Sequence, residues 1–177
     1  MTRDFLTISR PTTCRNLQIS LAVWQQRAYA IHTMNLLSVA ADSKTIKGEK
    51  FGVLTGILYL APSDESNAIN TCPNASKGCR LACLYSAGRG AFSNVRNSRI
   101  RKTIALAENN NKFLTDLIVD ITALVKKASK KNMIAAVRLN GTSDLPWETY
   151  TISGKNLMQH FPDVQFYDYT KSFSRMM

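Results

Sequence analysis

The sequence predicts an α/β fold, with a small, largely parallel sheet of about three or more strands and helices packed on it. The prediction rests on three apolar runs, at residues 53–60, 133–140 and 164–169, and on the helical patterns between them. A strand, a helix and a second strand in succession form a right-handed crossover, which makes the two strands parallel. The arrangement resembles part of a βα barrel, although a complete barrel of eight units takes about 250 residues.

The length and composition favour one domain. With 177 residues, 45% of them apolar, the chain can bury an ordinary core. We expect residues 34–177 to form a single α/β domain with a cysteine-rich loop at 71–90. Residues 1–33 are rich in arginine and poor in acids, with a helical pattern at 17–31, and we expect them to be an appended or mis-assigned N-terminal extension. A mitochondrial-type presequence is the alternative.

The predicted elements follow one another in a simple order. The strand at 53–60 is stopped by Ala61 and Pro62. A helix over 91–109 would pack through an apolar face of Phe92, Val95, Ile100, Ile104 and Ala107. Residues 109–111 break this helix and cap the next, which would bury Phe113, Leu114, Leu117, Ile118, Ile121, Leu124, Val125 and Ala128. A third helix is predicted from about residue 146 to 160, before the last strand.

The charge of the chain points to a polyanionic partner. The net charge is +11 and the pI is near 9.8, so nucleic acid or a nucleotide is the first partner to consider. An anionic membrane surface and simple solubility are the alternatives. The sequence has no apolar run of about 18 residues and no signal-peptide pattern, so we expect a cytoplasmic protein without a membrane-spanning helix. The oligomeric state is left open.

Three of the four cysteines lie in the segment TCPNASKGCRLACLYSAGRG, residues 71–90. Cys72, Cys79 and Cys83 could hold an iron–sulfur cluster or zinc, and their spacing does not choose between the two. Cys79 and Cys83 would share one face of a helical turn. Cys14 could supply a fourth ligand if the N-terminal residues are native. Buried or redox-active thiols are the alternative to metal binding.

A basic segment overlaps the cysteines. No acid occurs between Glu65 and Glu108, and the segment carries Lys77 together with the predicted phosphate-binding residues Arg80, Arg89, Arg96, Arg99, Arg101 and Lys102. Such a set suits a nucleic-acid backbone or a phosphorylated small ligand. A solvated basic helix is the alternative.

Polar residues at the ends of the later strands are the candidate catalytic group. Asn140 and Asp144 follow the second strand, and Asp168 and Lys171 lie at the end of the third. The carboxyl ends of parallel strands are where ligands bind in open α/β sheets, so Asp144 and Asp168 could form an acid–base or metal pair. Asp144 could instead cap a helix, and Asp168 could be a structural partner of Lys171 or Arg138.

Four stretches resemble a known family: LLSVAADSKTIKGEK, TCPNASKGCRLACLYSAGRGAFSNVRNSRIRKT, VRLNGTSDLPWE and FPDVQFYDYTK. From about Met34 to Lys171 the chain resembles the uncharacterised, phage-associated gene product 88 family. The resemblance implies a phage setting, hence the host cytoplasm, and kinship with barrel-like iron–sulfur proteins of the radical type. Their cysteine triplet has spacings of three and then two residues, which this sequence lacks. Relatives are expected to continue past the last strand, so the chain looks C-terminally short.

These observations lead to three hypotheses about function. The first is a phage-encoded, cysteine-ligated metal or iron–sulfur protein that acts on nucleic acid or a nucleotide. The second is a non-catalytic, zinc-stabilised module that binds nucleic acid or a host protein. The third is a truncated family member without activity.

Overall fold

The computed structural model describes residues 34–40 and 43–175. The predicted N-terminal extension, its helix at 17–31 and Cys14 lie outside the described residues. The first half contains β1 (Leu37–Val39), α1 (Ser43–Glu49), β2 (Val53–Leu58), α2 (Lys77–Leu81), 3₁₀ turns at Leu84–Ser86 and Gly88–Ala91, and α3 (Ser93–Glu108). The second half contains α4 (Asn110–Lys130), β3 (Ile134–Arg138), a 3₁₀ turn at Trp147–Thr149, β4 (Thr151–Ile152), β5 (Lys155–Asn156), α5 (Leu157–His160), β6 (Gln165–Phe166) and a 3₁₀ turn at Phe173–Arg175.

The main sheet has the strand order β1-β2-β3-β6. Strands β2, β3 and β6 are parallel, with Val53 opposite Ile134 and Ala136 opposite Gln165. Strand β1, which the sequence analysis did not predict, adds antiparallel to β2. The α/β class and the largely parallel sheet are therefore confirmed. The predicted resemblance to part of a βα barrel is not confirmed. Because three strands run in one direction, their carboxyl ends meet at one edge, which we call the strand-end edge.

Helix α4 provides most of the helical side of the core. Leu114, Leu117 and Ile121 are fully buried on the sheet, as the helical spacing predicts. Asn109 caps the helix, accepting a hydrogen bond from the Lys112 amide at 2.9 Å. The opposite face of α4 is polar, and no helix in the described part of the chain is long and apolar enough to cross a membrane.

The predicted apolar face of α3 is wrong. Phe92 and Ala107 are exposed, and the buried residues of the helix are Lys102, Thr103 and Leu106. The reason is that Lys102 and Thr103 are buried for their hydrogen bonds, next to Leu106 in the apolar core, and this turns a different face of the helix inward.

Thr103 joins α3 to the segment that follows β2. Its hydroxyl accepts a hydrogen bond from the Ala61 amide at 2.9 Å and donates one to the Arg99 carbonyl at 3.0 Å. The amide just beyond β2, which no neighbouring strand pairs, thereby gains a partner inside the protein.

The predicted helix at 146–160 is also wrong. A 3₁₀ turn is followed there by the hairpin β4–β5 and by α5, which is only four residues long. Ser153 and Gly154 both have positive φ, 51° and 75°, which is the backbone of a two-residue hairpin turn. Asn156 then starts α5, because its side chain and that of Gln159 form a reciprocal cap.

Candidate functional site

Asn140 organises the strand-end edge from a position that is only 2% exposed. Its side-chain oxygen accepts hydrogen bonds from the Leu145 amide at 2.9 Å and the Trp147 indole at 3.0 Å, and also from the Ser143 hydroxyl. Its amide nitrogen donates to the Leu145 carbonyl. The side chain therefore holds the loop after β3 in place and has no polar atom to spare for a ligand.

Asp144 links three segments of the chain. Its carboxylate accepts a hydrogen bond from the Lys171 amide at 2.9 Å and pairs with Arg175 at 3.0 Å. Its own amide donates to the Thr71 carbonyl at 2.7 Å. No α-helix begins at this position, so Asp144 does not cap one. Only the backbone of Lys171 takes part, and the residue is otherwise exposed.

Arg175 completes this arrangement. Its guanidinium forms a two-point ion pair with Glu148, with N–O distances of 2.7 and 2.9 Å. With the contact to Asp144, one cation serves two carboxylates. We call Asn140, Asp144, Glu148, Asp168 and Arg175 the strand-end cluster.

Asp168 joins β6 to β3. Its carboxylate accepts hydrogen bonds from the Asn140 amide at 2.8 Å and the Tyr169 amide at 3.0 Å. Arg138 lies 3.6 Å away, an ion pair too long for a hydrogen bond. Burial raises the pKa of Asp168, and the two amides and Arg138 oppose that effect only in part. The proximity of Asp144 and Asp168 to one edge agrees with the parallel topology.

A cleft opens beside the cluster. Its volume is about 310 Å³, and it is lined by Glu148, Asp168, Tyr169, Thr170 and Arg175. Tyr169 is 71% exposed, and the Arg138 guanidinium lies 4.8 Å from the centre of its ring. The cleft therefore combines an aromatic surface with hydrogen-bonding groups.

The cysteine-rich loop meets the cluster at Cys72. Its sulfur lies 3.7 Å from the Thr142 carbonyl oxygen. The carbonyl of the preceding residue, Thr71, accepts the hydrogen bond from the Asp144 amide. Burial raises the pKa of the Cys72 thiol, and the nearby Cys83 and the Asp144 carboxylate raise it further. At neutral pH this group is a thiol.

The three thiols do not form a ready metal site. Ser76 caps α2, which carries Cys79 and ends at Leu81, so Cys83 lies beyond the helix and the expected shared helical face is wrong. Among the described residues, no three Cys, His, Asp or Glu side chains are grouped closely enough to hold a metal ion. The arrangement of Cys72, Cys79 and Cys83 therefore does not fit zinc or a cluster as it stands.

Arg99 is held inside the basic segment. Its guanidinium stacks between the rings of Tyr59, at 5.0 Å, and Tyr85, at 5.3 Å, and donates to the Tyr85 carbonyl at 3.2 Å. Burial lowers the pKa of Arg99. Gly90 allows this packing, since a Cβ there would lie 2.1 Å from the Tyr85 carbonyl oxygen. Arg99 therefore anchors the loop to α3.

Other members of the predicted phosphate set also have partners inside the protein. Arg80 pairs with Asp64 at 3.1 Å, and Arg96 pairs with Glu65. Lys102 is buried, its ammonium donates to the Leu36 carbonyl at 2.7 Å, and burial lowers its pKa. We therefore assign Lys102 a structural role.

Two of the predicted phosphate-binding residues are exposed and have no charged partner among the described residues. Arg89 and Arg101 make no ion pair with any described residue. Arg80 and Arg96 also keep much of their surface exposed, because their partners lie on one side only. The accessible cations of the basic segment are thus Lys77, Arg80, Arg89, Arg96 and Arg101.

Residues 33–177 match the family model described as Gene product 88. The chain belongs to the gene product 88 family. The match confirms the predicted resemblance and begins next to Met34, where the sequence analysis placed the start of the domain. No curated protein and no solved structure matches this gene product 88 protein.

Sequence reasoning missed two features of the site in this gene product 88 protein. It did not assign a role to Arg175, and it did not find the Tyr59 and Tyr85 rings that enclose Arg99. The role of Arg175 could have been inferred from the charged residues Asp144, Glu148 and Arg175, which all lie in the last part of the sequence. No local pattern links Tyr59 to Arg99.

Proposed function

We propose that this phage-encoded protein binds nucleic acid or a nucleotide, and that the phosphates contact the accessible cations of the basic segment. The ligand would extend from there across the strand-end edge to the cleft. The protein would act in the cytoplasm of the host cell. This proposal retains the polyanionic partner of the first hypothesis and does not depend on a metal.

The contact between Thr71 and Asp144 carries the proposal. Through it, the loop that bears the basic segment is attached to the edge where parallel sheets bind ligands. In this proposal, a ligand at that edge also reaches Arg89 and its neighbours on the attached loop.

The charge distribution supports a phosphate ligand. The segment between Glu65 and Glu108 contains no acid, and Arg89 and Arg101 are exposed on it. Exposed guanidinium groups bind phosphate oxygens through charge-assisted hydrogen bonds. Arg99, by contrast, would act by holding the loop in position.

The strand-end cluster favours binding over acid–base chemistry. The carboxylates of Asp144 and Asp168 already accept hydrogen bonds from backbone amides, and Asn140 is fully occupied. In this proposal they position the loops that form the cleft. A catalytic role for Asp168 remains a prediction, to be tested by Asp168→Asn with any reaction that is found.

The test is the salt dependence of binding to a fluorescein-labelled single-stranded oligodeoxynucleotide, measured by anisotropy. We expect the double variant Arg89→Gln/Arg101→Gln to bind more weakly. The plot of log Kobs against log[NaCl] should also become less steep, by about 1.4 in the magnitude of its slope, because two phosphate contacts are lost.

The matched control is Lys127→Gln/Lys130→Gln, which removes the same charge from the exposed end of α4. These lysines precede β3 and so lie toward the edge opposite the carboxyl ends of the strands. Binding and slope should change less than in the arginine variant. Equal losses in both variants would show that only net charge matters, and the proposal would fail.

A cysteine-bound metal is the second candidate, since Cys72, Cys79 and Cys83 are free thiols of one loop. Because the described residues contain no group of three metal-binding side chains, the loop would have to rearrange to bring the three thiols together. Elemental analysis of protein purified without oxygen should find zinc, or iron with sulfide, in the wild type and not in the triple cysteine-to-alanine variant. Metal-free wild-type protein that is folded would remove this candidate.

A further inference from the structure

The exposed ring of Tyr169 has one face covered. The guanidinium of Arg138 lies over it at 4.8 Å, while 71% of the residue remains exposed. The opposite face of the ring is therefore open to solvent next to the cleft. An aromatic ring held in this way is a platform on which a flat ligand can stack.

The polar groups of the cleft determine which flat ligand fits. Glu148 and Asp168 contribute two carboxylates against the single guanidinium of Arg175, so the lining does not favour a phosphate. Each Glu148 oxygen accepts one hydrogen bond from Arg175 and has a second lone pair available. The cleft thus offers acceptors to a neutral ring that carries N–H donors.

We infer that the cleft between Tyr169 and Glu148 is a nucleobase subsite that prefers guanine. Guanine presents two neighbouring donors, the ring N–H and the amino group, and each of them can be accepted by one of the remaining carboxylate lone pairs of the cleft. Uracil presents one N–H between two carbonyl oxygens, which the carboxylates would repel. The cleft volume, about 310 Å³, is enough for one nucleoside. This inference rests on the proposed function and names the base that its ligand would place in the cleft.

The test uses guanosine and uridine, which lack phosphate, with saturation-transfer difference NMR on the full chain. We expect guanosine to bind about tenfold more tightly than uridine. Tyr169→Ala should weaken guanosine binding about tenfold, which is within the range for loss of one base–aromatic stack. Tyr169→Phe keeps the ring and should bind as the wild type does.

The control is Tyr167→Ala. Tyr167 is 40% exposed and lies two residues from Tyr169, but it does not line the cleft. Its removal should leave guanosine binding unchanged. A urea unfolding curve for each variant establishes that the fold is retained. Glu148→Gln should reduce the preference for guanosine over uridine.

The inference is overturned if guanosine and uridine bind equally, if neither binds, or if Tyr169→Ala binds guanosine as well as the wild type. These outcomes are distinct from failure of the proposed function, which is read from the oligodeoxynucleotide and the Arg89 and Arg101 variant. Nucleoside binding does not involve those two arginines, so the nucleoside test and the oligodeoxynucleotide test can succeed or fail independently.

Discussion

Arg175 binds Glu148 through two parallel hydrogen bonds, from Nε to Oε1 at 2.7 Å and from a terminal nitrogen to Oε2 at 2.9 Å. The same guanidinium contacts the buried Asp144, so the segment after β6 is attached to the loop after β3 by charge. Two sides of the cleft therefore depend on one side chain.

The first prediction concerns Arg175. Arg175→Gln should lower the free energy of unfolding by about 1 to 2 kcal/mol, because Asp144 loses its charged partner while Glu148 is partly screened by solvent. Arg175→Lys should recover only part of this, since an ammonium cannot form the two-point contact. Urea unfolding measures both. Arg80→Gln, which breaks an exposed pair, is the control and should cost about 0.5 kcal/mol or less. An equal cost for Arg80 and Arg175 would contradict the prediction.

The second prediction concerns Asn140. Asn140→Ala should lower the free energy of unfolding by about 3 kcal/mol or more, because the Leu145 amide and the Trp147 indole lose their buried acceptor. Thermal unfolding followed by near-UV circular dichroism would report both stability and the packing of Trp147. Asn111→Ala, at an exposed helical position, should change stability by about 0.5 kcal/mol or less. A mild effect at Asn140 would mean that water replaces the lost acceptor.

The third prediction concerns Thr103. Thr103→Val keeps the shape but removes the acceptor of the Ala61 amide, so we expect a loss of about 1 to 3 kcal/mol. Thr115 offers a matched control, since its hydroxyl also bonds to the carbonyl four residues earlier. It lies in a more exposed place, and Thr115→Val should cost about 0.5 kcal/mol or less. Urea unfolding of both variants measures the two losses in free energy of unfolding. Equal losses for Thr103→Val and Thr115→Val would contradict the prediction.

The fourth prediction is a pH dependence at Asp168. Its pKa is raised above the ordinary 3.8, so the folded protein holds this proton more tightly than the unfolded chain. The contribution of Asp168 to stability is therefore greatest at low pH. It declines as the pH rises from 3.8 through the folded pKa.

Asp168→Asn isolates this effect, because the amide does not titrate. The difference in free energy of unfolding, wild type minus variant, should fall as the pH rises through that interval and then level off. Urea curves at a series of pH values test the trend, and the carbon NMR shift of the carboxyl gives the pKa directly. A midpoint below 3.8 would reverse the sign and contradict the prediction.

The fifth prediction concerns Cys72. Because its pKa is raised, less thiolate is present near neutral pH, and alkylation by iodoacetamide should be slower than for a free cysteine. Mass spectrometry of timed digests gives the rate. Asp144→Asn removes one negative charge that opposes ionisation and should accelerate the reaction. No change in rate would show that access, rather than charge, limits it.

The predictable part of the fold was the part governed by apolar spacing. Helix α4 buries Leu114, Leu117 and Ile121 as its periodicity indicates, and the three parallel strands were found from their apolar runs. Helix α3 was assigned the wrong face because Lys102 and Thr103 are buried for their hydrogen bonds. A hydropathy pattern does not register that kind of burial.

The location of the site at the carboxyl ends of the parallel strands could be predicted from the sequence. Parallel topology alone brings Asp144 and Asp168 to one end of the sheet. The contacts that shape the site join residues far apart in sequence, such as Thr71 with Asp144 and Glu148 with Arg175. Pairs of this kind have no local periodicity, so a single sequence does not reveal them. The hairpin at 151–156 was missed because its turn, Ser153 and Gly154, lies within a pattern that was read as helical.

The cysteine-rich loop is attached at few points. Helix α2 has no buried residue, and Leu81 and Leu84 are 90% and 80% exposed. The loop is held at its two ends, by the contact of Thr71 with Asp144 and by the packing of Tyr85 and Gly90 against Arg99. A segment with so little buried surface can detach while the sheet stays intact. Its amide hydrogens should exchange with solvent well before those of β2. We therefore expect the loop around α2 to open and close on its own, while α3 stays packed on the sheet through Lys102, Thr103 and Leu106.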